Sequence, residues 1–257
     1  RRRRAGRRNR RALAHLTARL IPAGSWVPGI VVDEAQDLTP MQLRMLARRS
    51  LNGSMTLVGD VAQATGTWAP SSWSDVLSHL PTRRGTNVVT LSVNYRTPSE
   101  IMDVAGRVLA AAIPGATPPE SVRSTGELPR SVFVPGGGAA LPDEVAAVVE
   151  SESSSVGGGT VAVVCVGSMV ESVRSALGRA GVDFGEPATR GLDAPVTLVP
   201  VDVVKGLEFD SVVVVEPAAI VSESFNGLQA LYVSLTRATK RLTVVHSSPL
   251  PPELGSL

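Results

Sequence analysis

Cysteine is nearly absent from the 257-residue chain, and the single Cys165 can neither close an intrachain disulfide nor by itself build a thiolate metal site. That scarcity points to a reducing, intracellular setting. Its place within the run Val161 to Val166 marks it as a small buried hydrophobe. His15, His79 and His246 stand apart from any Cys or acidic spacing that would hold a transition metal. No run approaches the ~18 unbroken apolar residues of a membrane span, so no membrane association is expected. The opening residues lack the apolar stretch and cleavage site of a secretory signal. Ser234 and Thr236 lack a nucleophile elbow, which gives no support to a triad hydrolase. Lysine occurs only at Lys205 and Lys240, and no Gly-x-x-x-x-Gly-Lys-[Ser/Thr] loop exists to cradle phosphates.

What is present suits a globular chain: 43% hydrophobic and 19% charged residues, with 24 Gly and 19 Pro. The length allows one large domain or two small ones without staples. A net charge of +2 hides an asymmetry, since RRRRAGRRNRR at the start concentrates arginine while the remainder is acidic. This arm is either a polyanion-binding segment working through counterion release or a solvated stretch of a longer helix.

Short Val-rich runs recur at Gly29 to Val32, Met55 to Val58, Val88 to Val93, Ser131 to Val134, Thr160 to Val166, Val196 to Val201, Ser211 to Val215 and Leu242 to Val245. They read as strands buried on both faces. Helical patterns lie between them, opening at Thr39-Pro40 and at Pro98-Ser99-Glu100. Strands alternating with helices predict an α/β fold with largely parallel sheets flanked by helices. The Pro/Gly-rich run from Pro114 to Pro129 is taken as a boundary, and Ser151 to Gly159 as a long surface loop.

Gly-Ile-Val-Val-Asp-Glu-Ala-Gln-Asp, residues 29 to 37, is an apolar strand that ends in acids and an amide. Open α/β sheets bind ligands beyond the carboxyl ends of their strands. One carboxylate there can hold Mg²⁺ while the next orients or deprotonates a water, although an Asp-Glu pair can also simply cap the following helix. A second strand ends in Gly59-Asp60-Val61-Ala62-Gln63, and a third in Asn94-Tyr95-Arg96. Tyr95 offers a ring for stacking on a base and Arg96 a planar fork for phosphate oxygens. Each has a plainer alternative: Asp60 as a turn cap, Tyr95 in a core, Arg96 in a surface ion pair.

Together these segments resemble the superfamily 1 helicases of the UvrD/Rep/PcrA type. Asp33 to Asp37 is similar to motif II, Gly59 to Gln63 to motif III and Leu91 to Arg96 to motif IV. Val204-Lys205-Gly206-Leu207-Glu208-Phe209 is similar to motif V, and Leu231 to Ala238 to motif VI. The resemblance implies RecA-like lobes of the P-loop NTPase type with ATP and Mg²⁺ between them, the first lobe incomplete and the second nearly complete. In the implied roles Asp33 carries the metal and Glu34 is the base for the attacking water. Gln63 senses the γ-phosphate, Tyr95 stacks on adenine, Gly206 and Glu208 belong to the nucleotide site with Glu208 on the ribose, and Arg96 and Arg237 neutralise charge on the transferred phosphoryl group. The implied organisation is an Arg-rich arm and helical segment over 1–28, the first lobe over 29–113, a linker over 114–128, the second lobe over 129–248 and a tail over 249–257.

Two departures shape the functional expectation. Without a phosphate loop the chain reads as the carboxyl-terminal motor portion of a longer protein, inactive alone and lacking the amino-terminal part of its first lobe. Motif V carries Pro200 and Asp202 where the family usually writes threonine and histidine, and a carboxylate there repels nucleic-acid phosphates. Trp68 and Trp73 follow motif III and suit either base stacking or core packing. The set, with Val213 to Ala218, is most similar to the actinobacterial HelD-type proteins, helicase-like ATPases that bind RNA polymerase and release it from stalled nucleic acid. The resemblance implies ATP-driven remodelling of complexes of RNA polymerase with DNA or RNA, in a bacterial cytoplasm at the nucleoid or on the polymerase. The alternatives are a conventional 3′-to-5′ DNA helicase fragment and a non-catalytic module that binds RNA polymerase or nucleic acid. An incomplete first lobe is expected to leave a sheet edge and apolar surface uncovered.

Overall fold

The structure, a computed structural model, describes residues 29–80, 85–136, 138–187, 193–255 and 257. The Arg-rich arm and helical segment expected over 1–28 lie outside the described residues. Two units emerge: the first runs to Gly59 and takes in Ser72–Thr86, and the second holds Asp60–Ser71 and Asn87–Leu257.

In the first unit β1 (Ile30–Val32) pairs in parallel with β2 (Met55–Leu57), Val31 lying opposite Thr56. Between them stands α1 (Pro40–Ala47). Its start is fixed by Thr39, whose hydroxyl accepts from the Gln42 backbone while the Gln42 side chain accepts from the Thr39 N–H. Proline at the first turn costs no hydrogen bond. A second capping box, Ser72 with Asp75, opens α2 (Trp73–Leu77). Val32, Ala35, Gln36, Leu43 and Val76 are buried. The expectation that both strands here are covered on both faces is corrected: Val31 is 78% exposed, and Met41, Met45 and Val58 are also open. Among the described residues β1 and β2 pair only with each other, which leaves the anticipated edge and apolar surface.

The second unit opens with a 3-10 turn at Val61–Gln63, followed by β3 (Val93–Asn94), α3 (Ser99–Ala112) and β4 (Glu120–Ser121). It continues through β5 (Arg130–Phe133), α4 (Leu141–Ser155), β6 (Val161–Cys165), α5 (Val170–Arg179), β7 (Phe184–Gly185), β8 (Val196–Pro200) and β9 (Phe209–Val215). It closes with α6 (Pro217–Glu223), α7 (Gly227–Leu235) and β10 (Ala238–His246). Six strands form one parallel sheet in the order β5-β10-β9-β6-β8-β7.

The alternation of side chains along a strand explains the Val runs. On β9, Val212 and Val214 join one core with α3 and α7, while Val213 and Val215 join the other with α4 and α5. β6 divides likewise, Ala162 and Val164 facing one layer and Val161, Val163 and Cys165 the other. Each buried Val contributes about 1.5–3 kcal/mol. Burial also pushes the Cys165 thiol up to about 12, as befits a packing residue.

Two expectations change here. Of the run Val88 to Val93 only Val93 joins a strand, β3, which pairs with β4 alone; Leu91 is 84% exposed. The stretch Ser151 to Ser155 is not loop but the last turns of α4, because Leu141, Val145 and Val149 set a helical stripe that carries through Glu152. The segment 114–128 is tied down: Ser121 Oγ donates to the Thr97 carbonyl at 2.5 Å, and the Gly126 N–H donates to Glu100 at 2.7 Å.

Candidate nucleotide site

In the first unit β1 ends at Val32 and hands its chain to Asp33 and Glu34, both exposed. The Ala35 N–H donates to the Val58 carbonyl at 3.0 Å, which joins the segment after β1 to the end of β2. Glu34 is held at φ 55° and ψ 43°, the left-handed region that a β-carbon disfavours. The buried Gln36 donates from Nε2 to Glu34 Oε2 at 2.7 Å, which fixes the direction of that carboxylate. Strain of this kind concentrates where a side chain must be aimed.

Among the described residues no cluster of three or more His, Cys, Asp or Glu could hold a metal unaided. Mg²⁺ takes one or two carboxylates and completes its shell with phosphate oxygens and waters. An exposed Asp33 at a strand end fits a metal that arrives with its phosphates.

In the second unit Asp60 organises the segment Val61–Gln63. Its carboxylate accepts from the Ala62 N–H and from Gln63 Nε2, both at 2.9 Å. Gln63 thereby turns Oε1 toward Arg237, whose Nη2 donates to it at 3.3 Å. Two more side chains of this unit bind the same stretch of chain or its end. Lys205 Nζ donates to the Gln63 carbonyl at 2.5 Å, and Asn226 Nδ2 donates to the carbonyls of Ala64 at 3.5 Å and Gly66 at 3.2 Å.

Arg237 is 4% exposed. Its guanidinium donates to the carbonyls of Val233 at 3.0 Å and Leu207 at 3.5 Å, and to Thr236 Oγ1 at 3.1 Å, besides Gln63. An arginine so engaged is aimed with little rotamer freedom. Tyr232, one turn earlier on α7, is buried, and burial together with the Asp60 charge pushes its phenol up to about 12.

Arg96 lies just after β3. Asn94 Oδ1 accepts from the Arg96 and Thr97 backbone N–H groups at 2.8 and 3.2 Å, which shapes the turn. The Arg96 guanidinium pairs with Glu208 at 3.0 Å, both partly exposed, so the two residues expected on phosphate and ribose meet each other. Tyr95 is 75% exposed, with its ring open to solvent. Gly206, at φ 75°, makes the turn in which the Leu207 N–H donates to the Val204 carbonyl at 3.2 Å; a β-carbon would strain it. Glu208 and Arg237 sit immediately before β9 and β10, where the Phe209 N–H donates to the Arg237 carbonyl at 3.0 Å. Trp68 and Trp73 are each half-buried.

The structure therefore joins Gln63 to Arg237 and Arg96 to Glu208 within the second unit, and it places Asp33 and Glu34 in the first. Sequence reasoning passed over Asn226, which carries no motif signal. It also passed over Lys205 as an anchor, although its rarity as one of two lysines was a signal.

The profile of the UvrD-like helicase C-terminal domain matches residues 195–245. The matched segment is similar to that domain. It spans β8 to β10 and contains Lys205, Gly206, Glu208 and Arg237. Among solved structures the chain is similar to the C-terminal domain of a possible DNA helicase from Lactobacillus plantarum WCFS1. The likeness covers 63% of this chain and 92% of that one at 27% identity and a TM-score of 0.50. It supports the same parallel-sheet fold around the UvrD-like segment. Arterivirus nonstructural protein 10, a helicase, aligns alone at 17% identity and a TM-score of 0.46, and in its complex with DNA at 16% and 0.47. In both cases the chain covers 42% of the viral protein's length. No curated protein matches the chain in sequence. Among the described residues no helix is long and apolar enough to cross a membrane.

Proposed function

We propose that this chain is the motor portion of a UvrD-like superfamily 1 ATPase of the HelD type, which uses ATP binding and hydrolysis to remodel complexes of RNA polymerase with nucleic acid. The carrying observation is the Asp60–Gln63–Arg237 chain of hydrogen bonds, which presents an amide and an arginine as a pair anchored in the UvrD-like segment. Such a pair suits recognition of a terminal phosphate, where charge grows during phosphoryl transfer and an arginine supplied correctly is worth ~10³ to 10⁵ in rate.

In this reading Asp33 holds Mg²⁺ and Glu34 orients the attacking water and takes its proton. Arg96 leaves Glu208 to meet phosphate oxygens, which frees Glu208 for the ribose hydroxyls beside the Gly206 turn, while Tyr95 lays its exposed ring on adenine. Mg²⁺ held at Asp33 would supply charge neutralisation at the phosphates. The sequence has no phosphate loop, so the 257-residue chain by itself is expected to hydrolyse ATP no faster than buffer. A magnesium-dependent turnover abolished by Glu34→Gln overturns that expectation.

The HelD-type assignment, as against a conventional 3′-to-5′ helicase, rests on motif V. Asp202 there is exposed, and its charge opposes a phosphate strand. The test is retention of RNA polymerase on the immobilised chain, with and without residues 1 to 11. Retention that survives the deletion and moderate salt supports the polymerase reading. Binding that falls steeply with salt and vanishes with the arm reduces it to charge attraction and sinks the reading.

A further inference from the structure

Beside the Arg96 turn, but apart from the residues assigned to nucleotide, the second unit contains a cavity of about 240 Å³ lined by Arg123, Thr125, Glu127, Ser155, Val156, Lys240 and Arg241. Its lining carries three cations against one carboxylate. The carboxyl end of α4 at Ser155 adds about half a negative charge, so the residues of the lining, counted without the acids behind them, carry a net positive charge. Glu152, which holds Arg241 from behind, is shared with Arg130 at 3.8 Å and so does not cancel Arg241 alone. At this volume the cavity lies below the ~300 Å³ at which pockets for drug-sized ligands begin, and suits a small charged group.

The state of Glu127 decides the chemistry. Glu152 is saturated, accepting from Arg241 Nε and Ser211 Oγ at 2.8 Å and from Thr243 Oγ1 at 2.9 Å. Glu127 is half exposed and takes only the outer edge of the same guanidinium, through Arg241 Nη1. A carboxylate held at the cavity's rim by the arginine of its wall occupies the position an anionic ligand would take. Lys240 is likewise shared with a partly buried acid, Asp210, at 2.9 Å.

We propose that this cavity binds a phosphate group, which displaces Glu127 from Arg241 and is gripped by Arg123, Lys240 and Arg241, with the Thr125 and Ser155 hydroxyls beside it. Arg123 connects the cavity to the turn bearing Arg96: its Nη1 donates to the Arg96 carbonyl at 3.3 Å, and its own carbonyl accepts from the Ser99 N–H at 2.8 Å. Occupancy therefore bears on the backbone that aims Arg96.

The test is calorimetric titration of pyrophosphate and of inorganic phosphate into the full chain at about 0.3 M salt, where attraction to the arginine-rich start is strongly screened. Arg123→Gln and Lys240→Gln are each expected to weaken binding about tenfold, the equivalent of one charge-assisted hydrogen bond. Glu127→Gln tightens it, and Arg96→Gln leaves it unchanged. Competition by a short oligothymidylate identifies the phosphate source as a nucleic-acid backbone, and its absence identifies a free phosphate ligand; the site stands in either case. The proposal is overturned by absence of saturable binding, by binding indifferent to Arg123→Gln and Lys240→Gln, or by binding lost in Arg96→Gln instead. Circular dichroism establishes that each variant is folded; should Arg123→Gln unfold, Lys240→Gln with Glu127→Gln decides.

Discussion

Gln63 and Arg237, 174 residues apart in sequence, share a side-chain hydrogen bond of 3.3 Å, and Asp60 fixes its direction by accepting the other end of the Gln63 amide. Because an amide can be turned either way, the acid at Asp60 makes the oxygen rather than the nitrogen face the guanidinium. Two contacting groups in one network couple by about 0.5–3 kcal/mol in a double-mutant cycle. The expected coupling of Gln63→Ala with Arg237→Ala, measured by urea unfolding, lies in that range. Arg237→Ala alone costs more than Gln63→Ala, since it also strips the donors serving the Val233 and Leu207 carbonyls. Additive single effects would show that the two side chains are merely neighbours.

The left-handed Glu34 separates backbone strain from side-chain bonding. Glu34→Ala and Glu34→Gly both delete the acceptor for the buried Gln36 amide, but only alanine retains the strained β-carbon. Glycine is therefore expected to be the more stable of the two by about 1 kcal/mol. Equal melting temperatures for the two variants would count against the strain. Under the proposed function neither variant activates water, so stability and activity part company at this position.

How much of this was legible in the sequence depended on whether a signal was local. The runs at Thr160 to Val166 and Ser211 to Val215 announced strands buried on both faces, because a largely apolar stretch has no other use for its alternate side chains. Val88 to Val93 has the same look and is exposed, since composition does not say whether a sheet is there to receive a run. Helix starts were legible from Thr39-Pro40, where a capping box lies within three residues, and from Pro98-Ser99, where proline stands just ahead of the first turn although no side chain caps it. Asp60 and Gln63 stood out by their spacing, whereas the arginine they serve and the lysine and asparagine that hold them come from far along the chain. Glu152 was hidden for the same reason. It sits in a serine-rich tract that looks like loop, and the partners that explain its burial are Ser211, Arg241 and Thr243.

That buried carboxylate carries the next expectation. Glu152 is 1% exposed, and burial would raise its pKa, yet the hydrogen bonds from Arg241, Ser211 and Thr243, with the Arg241 charge, hold it below the usual carboxylate range. Removing one member of a buried pair leaves the other uncompensated, at ~3–5 kcal/mol. Arg241 retains Glu127, so Glu152→Gln is expected near the lower end of that range by urea unfolding. Glu127→Gln, at the exposed end of the same arginine, is expected to cost under about 1 kcal/mol.

Four carboxylates of the second unit respond to acid in the same direction. Glu100 is held down to about 2, chiefly by the Ser124 hydroxyl and by backbone N–H groups that include Gly126 and Thr125. Glu186 is lowered by its bond to Arg174, Asp210 by its bond to Lys240, and Glu152 as described. Unfolded, these groups titrate near ~4. Their folded values lie lower, so their contribution is complete above the unfolded values and is lost as pH falls from ~5 toward ~2. Melting temperatures are expected to hold level from neutrality to about pH 5.5 and to fall below it. Glu100→Gln makes that fall shallower; a profile identical to the parent's would show that Glu100 is not anchored by the 124–126 turn.

Gly227 begins α7, the helix that carries Tyr232 and Ser234 and leads into Arg237. A β-carbon there would lie 1.9 Å from the Val221 carbonyl oxygen and 2.6 Å from its carbonyl carbon, so the obstacle is backbone and cannot rotate away. Overpacking of this kind costs about 1–3 kcal/mol, and the upper part of that range applies when α6 itself must move. Displacing the start of α7 also shifts Asn226, whose amide holds the carbonyls of Ala64 and Gly66. Gly227→Ala is therefore expected to lower the melting temperature and to loosen hydrogen-exchange protection over 60–66. Gly167→Ala, where a new β-carbon meets nothing within 4 Å, is the matched control and should remain within about 0.5 kcal/mol of the parent. Equal tolerance of alanine at both glycines would mean that α6 and α7 do not approach as closely as the Val221 carbonyl requires.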